Sequence, residues 1–295
     1  MNDTILARQA LRAALRARRQ ACIDPVDPIS IYDFAERYYN LEVWFVDIGS
    51  LEGMYEKGTP GRIFISSHRP AGRQVLTCAH ELGHHVFGHG TMVDEYLDDH
   101  PSSHNKSPEE RLVNFFASHL MMPLEAIRSA FQTRQIQIQN CKPQEVYEIS
   151  QYLGVSYAGL IQHMRWSLKI INDHHAQSLL KITPKEIKSG FTGQDQYSEV
   201  IIANECWTTR AIDLSVNDFL CLPTDFIVDE NFFQHVGFNN QNSIFQANKQ
   251  GISLIKAGSS DWCANVRISR SGFNGRNVYR HMEDPDDNSG HTNSH

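Results

Sequence analysis

The chain has 295 residues, 41% of them hydrophobic and 21% charged, a globular composition with enough apolar material for a sizeable core. Its net charge of −7 weighs against a general nucleic-acid coat, while leaving room for a local basic patch. No run approaches the roughly 18 apolar residues of a membrane-spanning helix, the charged N-terminus lacks a signal-peptide core, and the six cysteines contain no C-x-x-C pair. A cytoplasmic protein without a cysteine knuckle or redox pair is expected.

Residues 4–22 read as an amphipathic helix, with Leu6, Leu11 and Leu15 set among Arg8, Arg12, Arg16, Arg18 and Arg19. Its plain role is to pack one face. A nucleic-acid or partner contact is the sharper reading. Asp24-Pro25-Val26-Asp27-Pro28 breaks the chain, since each proline disfavours helix at the preceding residue. Ser30 is placed to cap a helix over 31–39, and strands are expected at 41–46 and 62–66. Residues 62–66 are the candidate edge strand on which an extended peptide would add.

The centre of the chain is Cys78-Ala79-His80-Glu81-Leu82-Gly83-His84-His85, within a helix expected over 73–87. Val75, Leu76, Ala79, Leu82 and Val86 form its apolar stripe. Two histidines four residues apart lie on one helical face and can reach one ion, with metal–nitrogen bonds of roughly 2.0–2.1 Å for zinc. Glu81 follows the first histidine and can take a proton from a water held there. Gly83 costs the helix about 1 kcal/mol relative to alanine, a cost that close approach of another backbone would explain.

Residues 90–106 are polar and acidic without periodicity, and read as a long loop carrying His100 and His104. Ser107 then starts a helix over 107–121, with Pro108 at its first position and Glu110 completing Ser-x-x-Glu. Glu110 can close a capping box or serve as the third ligand that two histidines require; Glu109 competes for that role.

These motifs together resemble the ImmA/IrrE family of metallopeptidases. The resemblance rests on residues 76–84, on Gly88-His89, and on Glu110-Arg111-Leu112-Val113-Asn114-Phe115-Phe116-Ala117 through Pro123. Val113 stands where the family has alanine and Met121 where it has leucine; both are apolar. Spanning residues 29–166, about half of the chain, the resemblance implies an α+β, zincin-like domain. It selects Glu110 over Glu109, so that His80, His84 and Glu110 would bind Zn²⁺ or Mn²⁺ with Glu81 as the catalytic base. It further implies an endopeptidase that cuts a helix-turn-helix transcriptional repressor encoded nearby, in a stress or mobile-element response. His85 and His89 would orient a ligand, stabilise an oxyanion, or merely finish the helix.

Helices over 143–153 and 156–171, joined through Gly154, outline a helix-turn-helix, but the second has few cationic groups at its start. The expected layout is an N-terminal helix and linker (1–28), a metallopeptidase domain with this helical end (29–172), a β-rich, regulatory C-terminal domain (183–282) and a disordered tail (283–295). Short β-rich runs at 200–203, 212–214, 219–222, 252–255 and 264–268 carry the C-terminal expectation, with Trp207 and Trp262 in its core. Two other functions fit the residues: a DNA-binding regulator or sensor with a non-catalytic metal site, and a protease effector of a toxin or phage-defence system.

Overall fold

The computed structural model describes residues 3–95, 107–193, 198–239 and 242–282. Most of the expected 90–106 loop, with His100 and His104, and the expected tail lie outside these residues.

Helix α1 (Asp3–Gln20) packs against α4 (Pro108–Met121), but of the three leucines in its pattern only Leu6 faces inward. Leu6, Ala10, Ala14 and Ala17 are buried, while Leu11 and Leu15 are exposed. Alanines let two helix backbones approach closely, so the small residues form the seam. Arg18 is also buried: its Nε donates to the Leu120 carbonyl (2.9 Å), and its Nη1 to those of Asp24 and Asp27 (both 3.0 Å). Burial pulls its pKa down to about 10.

After α2 (Ile31–Tyr39) come β1 (Glu42–Val46), β2 (Leu51–Glu56) and β3 (Arg62–Ser66), then α3 (Ala71–Val86) and β4 (Met92–Glu95). β1 and β3 run parallel, and β2 lies antiparallel to both β3 and β4. β3 is therefore internal, and the expectation that 62–66 forms the edge is wrong. Its alternation of buried Ile63 and Ile65 marks a strand but cannot mark its neighbours. β4 lies at one edge, in a stretch whose two acids hid it as loop. The other edge is β13 (Gly275–Arg276), which pairs antiparallel with β1, Trp44 opposite Arg276.

Helices α5 (Leu124–Thr133), α6 (Pro143–Leu153) and α7 (Tyr157–Gln162) follow, and α7 continues as a π turn over His163–Ser167. The expected helix to residue 171 stops there. Inside the turn His163 is buried, and its Nε2 donates to the Met122 carbonyl (3.0 Å). Tyr157, Leu160 and Ile161 of α7 are buried, and a Cβ on Gly72 would come within 2.7 Å of the Ser156 backbone. The helix-turn-helix outline is thus packed against the start of α3.

Helices α8 (Asp173–Leu180) and α9 (Pro184–Thr192) lead to two four-stranded sheets. One takes β5 (Val200–Ile202), β7 (Phe219–Pro223), β10 (Asn242–Ala247) and β9 (Phe233–Asn239) in that spatial order. The other takes β6 (Ile212–Ser215), β12 (Cys263–Ser269), β11 (Gly251–Ala257) and β8 (Phe226–Ile227). Trp207 is buried as expected.

Arg267 of β12 ties the second of these sheets to α2. It donates to both Asp213 oxygens (2.6 and 2.9 Å), to Asp33 (2.8 Å) and to the Ser30 hydroxyl (3.1 Å). Ser30 stands at the N-cap of α2 but makes no side-chain cap bond, because its hydroxyl oxygen accepts from Arg267 instead.

Candidate metal centre

α3 is amphipathic in an unusual sense, since its buried face is largely polar. Gln74, Thr77, His80, Glu81 and His84 are all buried, alongside Cys78, Ala79 and Leu82. Polar groups tolerate such burial only when they bind something. The second helix, α4, lies across α3 and brings Glu110 to the two imidazoles.

The three groups converge. His80 Nε2 and His84 Nε2 are 3.1 Å apart, Glu110 Oε2 is 3.3 Å from His80 Nε2, and Glu110 Oε1 is 3.5 Å from His84 Nε2. Tetrahedral zinc with bonds near 2.0–2.1 Å holds its ligands about 3.3 Å apart. The observed triangle has that size, and its donors are two neutral-capable imidazoles and a carboxylate, the set found in catalytic zinc sites. The residues present therefore fit a divalent ion.

Of its two possible roles, Glu110 is placed for ligation and not for capping. Ser107 caps α4 by accepting from the Glu110 backbone N–H (3.2 Å), whereas the Glu110 carboxylate faces the imidazoles and closes no capping box. Glu109 is exposed and its pKa is lowered by bonds at the helix start, first its own backbone N–H and then Ser107.

Each imidazole has a partner behind it. His80 Nδ1 is 3.1 Å from Asn114 Oδ1, one turn beyond Glu110 on α4. His84 Nδ1 is 2.9 Å from His89 Nδ1, just after Gly88, whose φ of 72° swings the chain back toward the helix. Such partners fix the ring orientation and tautomer of a ligating histidine. His85 points elsewhere: its Nδ1 shares a hydrogen bond with the Tyr55 hydroxyl (2.9 Å), and burial lowers its pKa. Of the three roles left open for these residues, His89 is placed to orient a ligand-type histidine, whereas His85 packs against β2.

Two glycines let the elements close on the site. A Cβ on Gly83 would lie 3.0 Å from Val113 Cβ and 3.2 Å from Phe116 Cδ1, so the close approach expected there is to the side chains of α4. A Cβ on Gly53 of β2 would overlap Glu81 Oε1 and Thr77 Cγ2. Glu81, fully buried, thus lies directly under β2. Asn114 and Gly53 were not assigned roles from the sequence, although the four-residue step from Glu110 to Asn114 was a usable signal.

A family model described as the IrrE N-terminal-like domain matches residues 44–163. That span contains both halves of the triangle. This segment belongs to the ImmA/IrrE peptidase family. The family is one of metallopeptidases, and the His80, His84 and Glu110 group within the IrrE-like domain is compatible with it. Among curated proteins nothing matches. Two solved structures are distantly similar. One is a cysteine protease inhibitor from Entamoeba histolytica, at 13% identity and a TM-score of 0.20, covering 25% of this chain and 98% of the inhibitor. The other is a Mycobacterium tuberculosis transcriptional regulator, at 14% identity and a TM-score of 0.35, covering 53% of this chain and 46% of the regulator. At these scores neither likeness bears on function. No helix among the described residues is long and apolar enough to cross a membrane.

Proposed function

We propose that the protein is a metal-dependent endopeptidase in which His80, His84 and Glu110 hold Zn²⁺ and Glu81 is the general base. The reading is carried by the triangle of His80, His84 and Glu110 with a buried carboxylate next to it in sequence. A bound zinc ion supplies Lewis acidity, polarising the scissile carbonyl and making a bound water acidic near neutral pH. The chain's own residues do the rest. Asn114 and His89 hold the two imidazoles with their Nε2 atoms converging. Glu81, confined between α3 and β2, accepts the proton of the attacking water and returns it to the leaving amine. β4, the outermost strand of the first sheet among the described residues, is the edge that an extended substrate would join as a further strand.

The substrate we infer is a helix-turn-helix transcriptional repressor encoded nearby, cut in a stress or mobile-element response; support comes from the family alone. Co-incubation of the two proteins, followed on a gel with and without chelator, tests it. Chelator-sensitive fragments are expected from the wild type, and none from Glu81→Gln, which should still bind zinc. Cleavage by Glu81→Gln would remove Glu81 as the base, and DNA binding without cleavage would favour a regulator instead.

A further inference from the structure

One charged surface has no place in this chemistry. Along α1, Arg8, Arg12 and Arg16 are exposed and stand four residues apart, so they share a face at steps of about 6 Å. They border a groove of 680 Å³ whose other wall includes Tyr39, Val86 and Phe87. Tyr39, Val86 and Phe87 are half-buried, giving the groove an apolar floor. No acidic side chain lines it among the described residues. The one acid of α1, Asp3, is taken by Arg111 (2.6 Å).

We propose that this groove docks an acidic, amphipathic segment of a partner polypeptide. Carboxylates one helical turn apart on such a segment would match the arginine spacing, and its apolar side chains would fill the floor. A nucleic acid fits less well, because the chain carries −7 overall. The groove also adjoins the metal centre. Phe87 stacks on the His89 ring at 6.1 Å, and His89 in turn contacts His84. A partner held there would have its flanking chain beside the site.

The test measures binding in full-length Glu81→Gln protein, so its outcome stands apart from the peptidase reading. A fluorescein-labelled amphipathic peptide of leucine and glutamate is titrated by anisotropy. Combined Arg8→Glu, Arg12→Glu and Arg16→Glu should weaken binding about tenfold or more, whereas Arg19→Glu, on the same helix outside the groove, should change it less than about twofold. Replacing the peptide's leucines by serine should also weaken it. If charge reversal unfolds α1, the three arginines changed to glutamine give the same comparison. Absence of peptide binding, equal loss with Arg19→Glu, indifference to the leucines, or preference for a labelled single-stranded oligonucleotide would each overturn the proposal.

Discussion

Gly53→Ala is the most direct test of how β2 serves the site. The new methyl would overlap Glu81 Oε1 and Thr77 Cγ2. Gly53 lies within β2 and outside the left-handed region, so its backbone accepts alanine without strain. Loss of unfolded-state freedom would by itself stabilise by about 0.4–1 kcal/mol. Overpacking costs typically 1–3 kcal/mol, so a net loss of roughly 1–2 kcal/mol is expected. Relief is available only by moving something. Thr77 is branched and anchored on α3, whereas the Glu81 carboxylate is the end of a flexible side chain and yields first. A displacement of about 1 Å in a catalytic group costs on the order of a hundredfold in rate. The variant should therefore bind zinc nearly as well as wild type, unfold at slightly lower urea, and cleave about a hundredfold more slowly. Zinc affinity by chelator competition, urea melts and single-turnover cleavage measure the three effects. Full activity with an intact fold would refute the idea that β2 confines Glu81.

Further expectations follow from the contacts around the site and across the fold. His89→Ala and Asn114→Ala each remove the group behind one imidazole, and should lower metal affinity about ten- to a hundredfold with little change in melting. Gly83→Ala gains about 1 kcal/mol of helix propensity but crowds Val113 and Phe116, so stability should change little while metal affinity drops as α3 and α4 are pushed apart. Arg267→Ala strands Asp213, whose pKa burial pushes up but Arg267 draws down to about 2; a loss of about 3 kcal/mol in urea melts is expected. His163 is driven down from 6.5 to about 3, first by burial and then by His119. The unfolded chain binds a proton there that the folded chain refuses. Stability is thus fully present above about pH 6.5 and falls as pH drops toward 3, and His163→Gln should flatten that decline in urea midpoints compared across this range.

The two helices that bring His80, His84 and Glu110 together were readable because their signals are local. His80 and His84 sit one turn apart, Ser107-Pro108 marks a helix start, and each side chain's direction follows from helical geometry. Glu110 was harder: a residue at the third helical position serves capping and ligation equally well on paper, and only the crossing of α3 and α4 decides. The sheet was less legible. β3 was found within its bounds but misplaced at the edge, since alternation reports faces and not neighbours. β2, β4, β9 and β10 were missed: β4 and β9 are edge strands, which carry polar residues by design, whereas β2 and β10 lie inside their sheets and carry Gly53 and Asn242, residues that read as turns. In α1 Leu6 packs as its pattern suggested, but Leu11 and Leu15 misled and the alanines did the rest, because a close helix seam rewards small side chains over large ones. Arg18, grouped with the solvated arginines, is buried and donates to three carbonyls, that of Leu120 in the interior.

The short pairing of Gly275–Arg276 with β1 bears on how the two halves can be separated in the laboratory. Asn277 extends the same tether, donating to Glu36 on α2 (2.9 Å). A truncation near residue 183, the natural way to ask whether the β-rich part restrains the peptidase, also strips the outermost strand from the peptidase's own sheet. It would bare the backbone of β1, with Trp44 and Phe45 behind it, and leave Asp33 without its guanidinium partner. Loss of solubility in such a fragment would report this unzipped edge and say nothing of regulation. A cut within the chain that keeps residues 263–282 bound in place is the cleaner dissection.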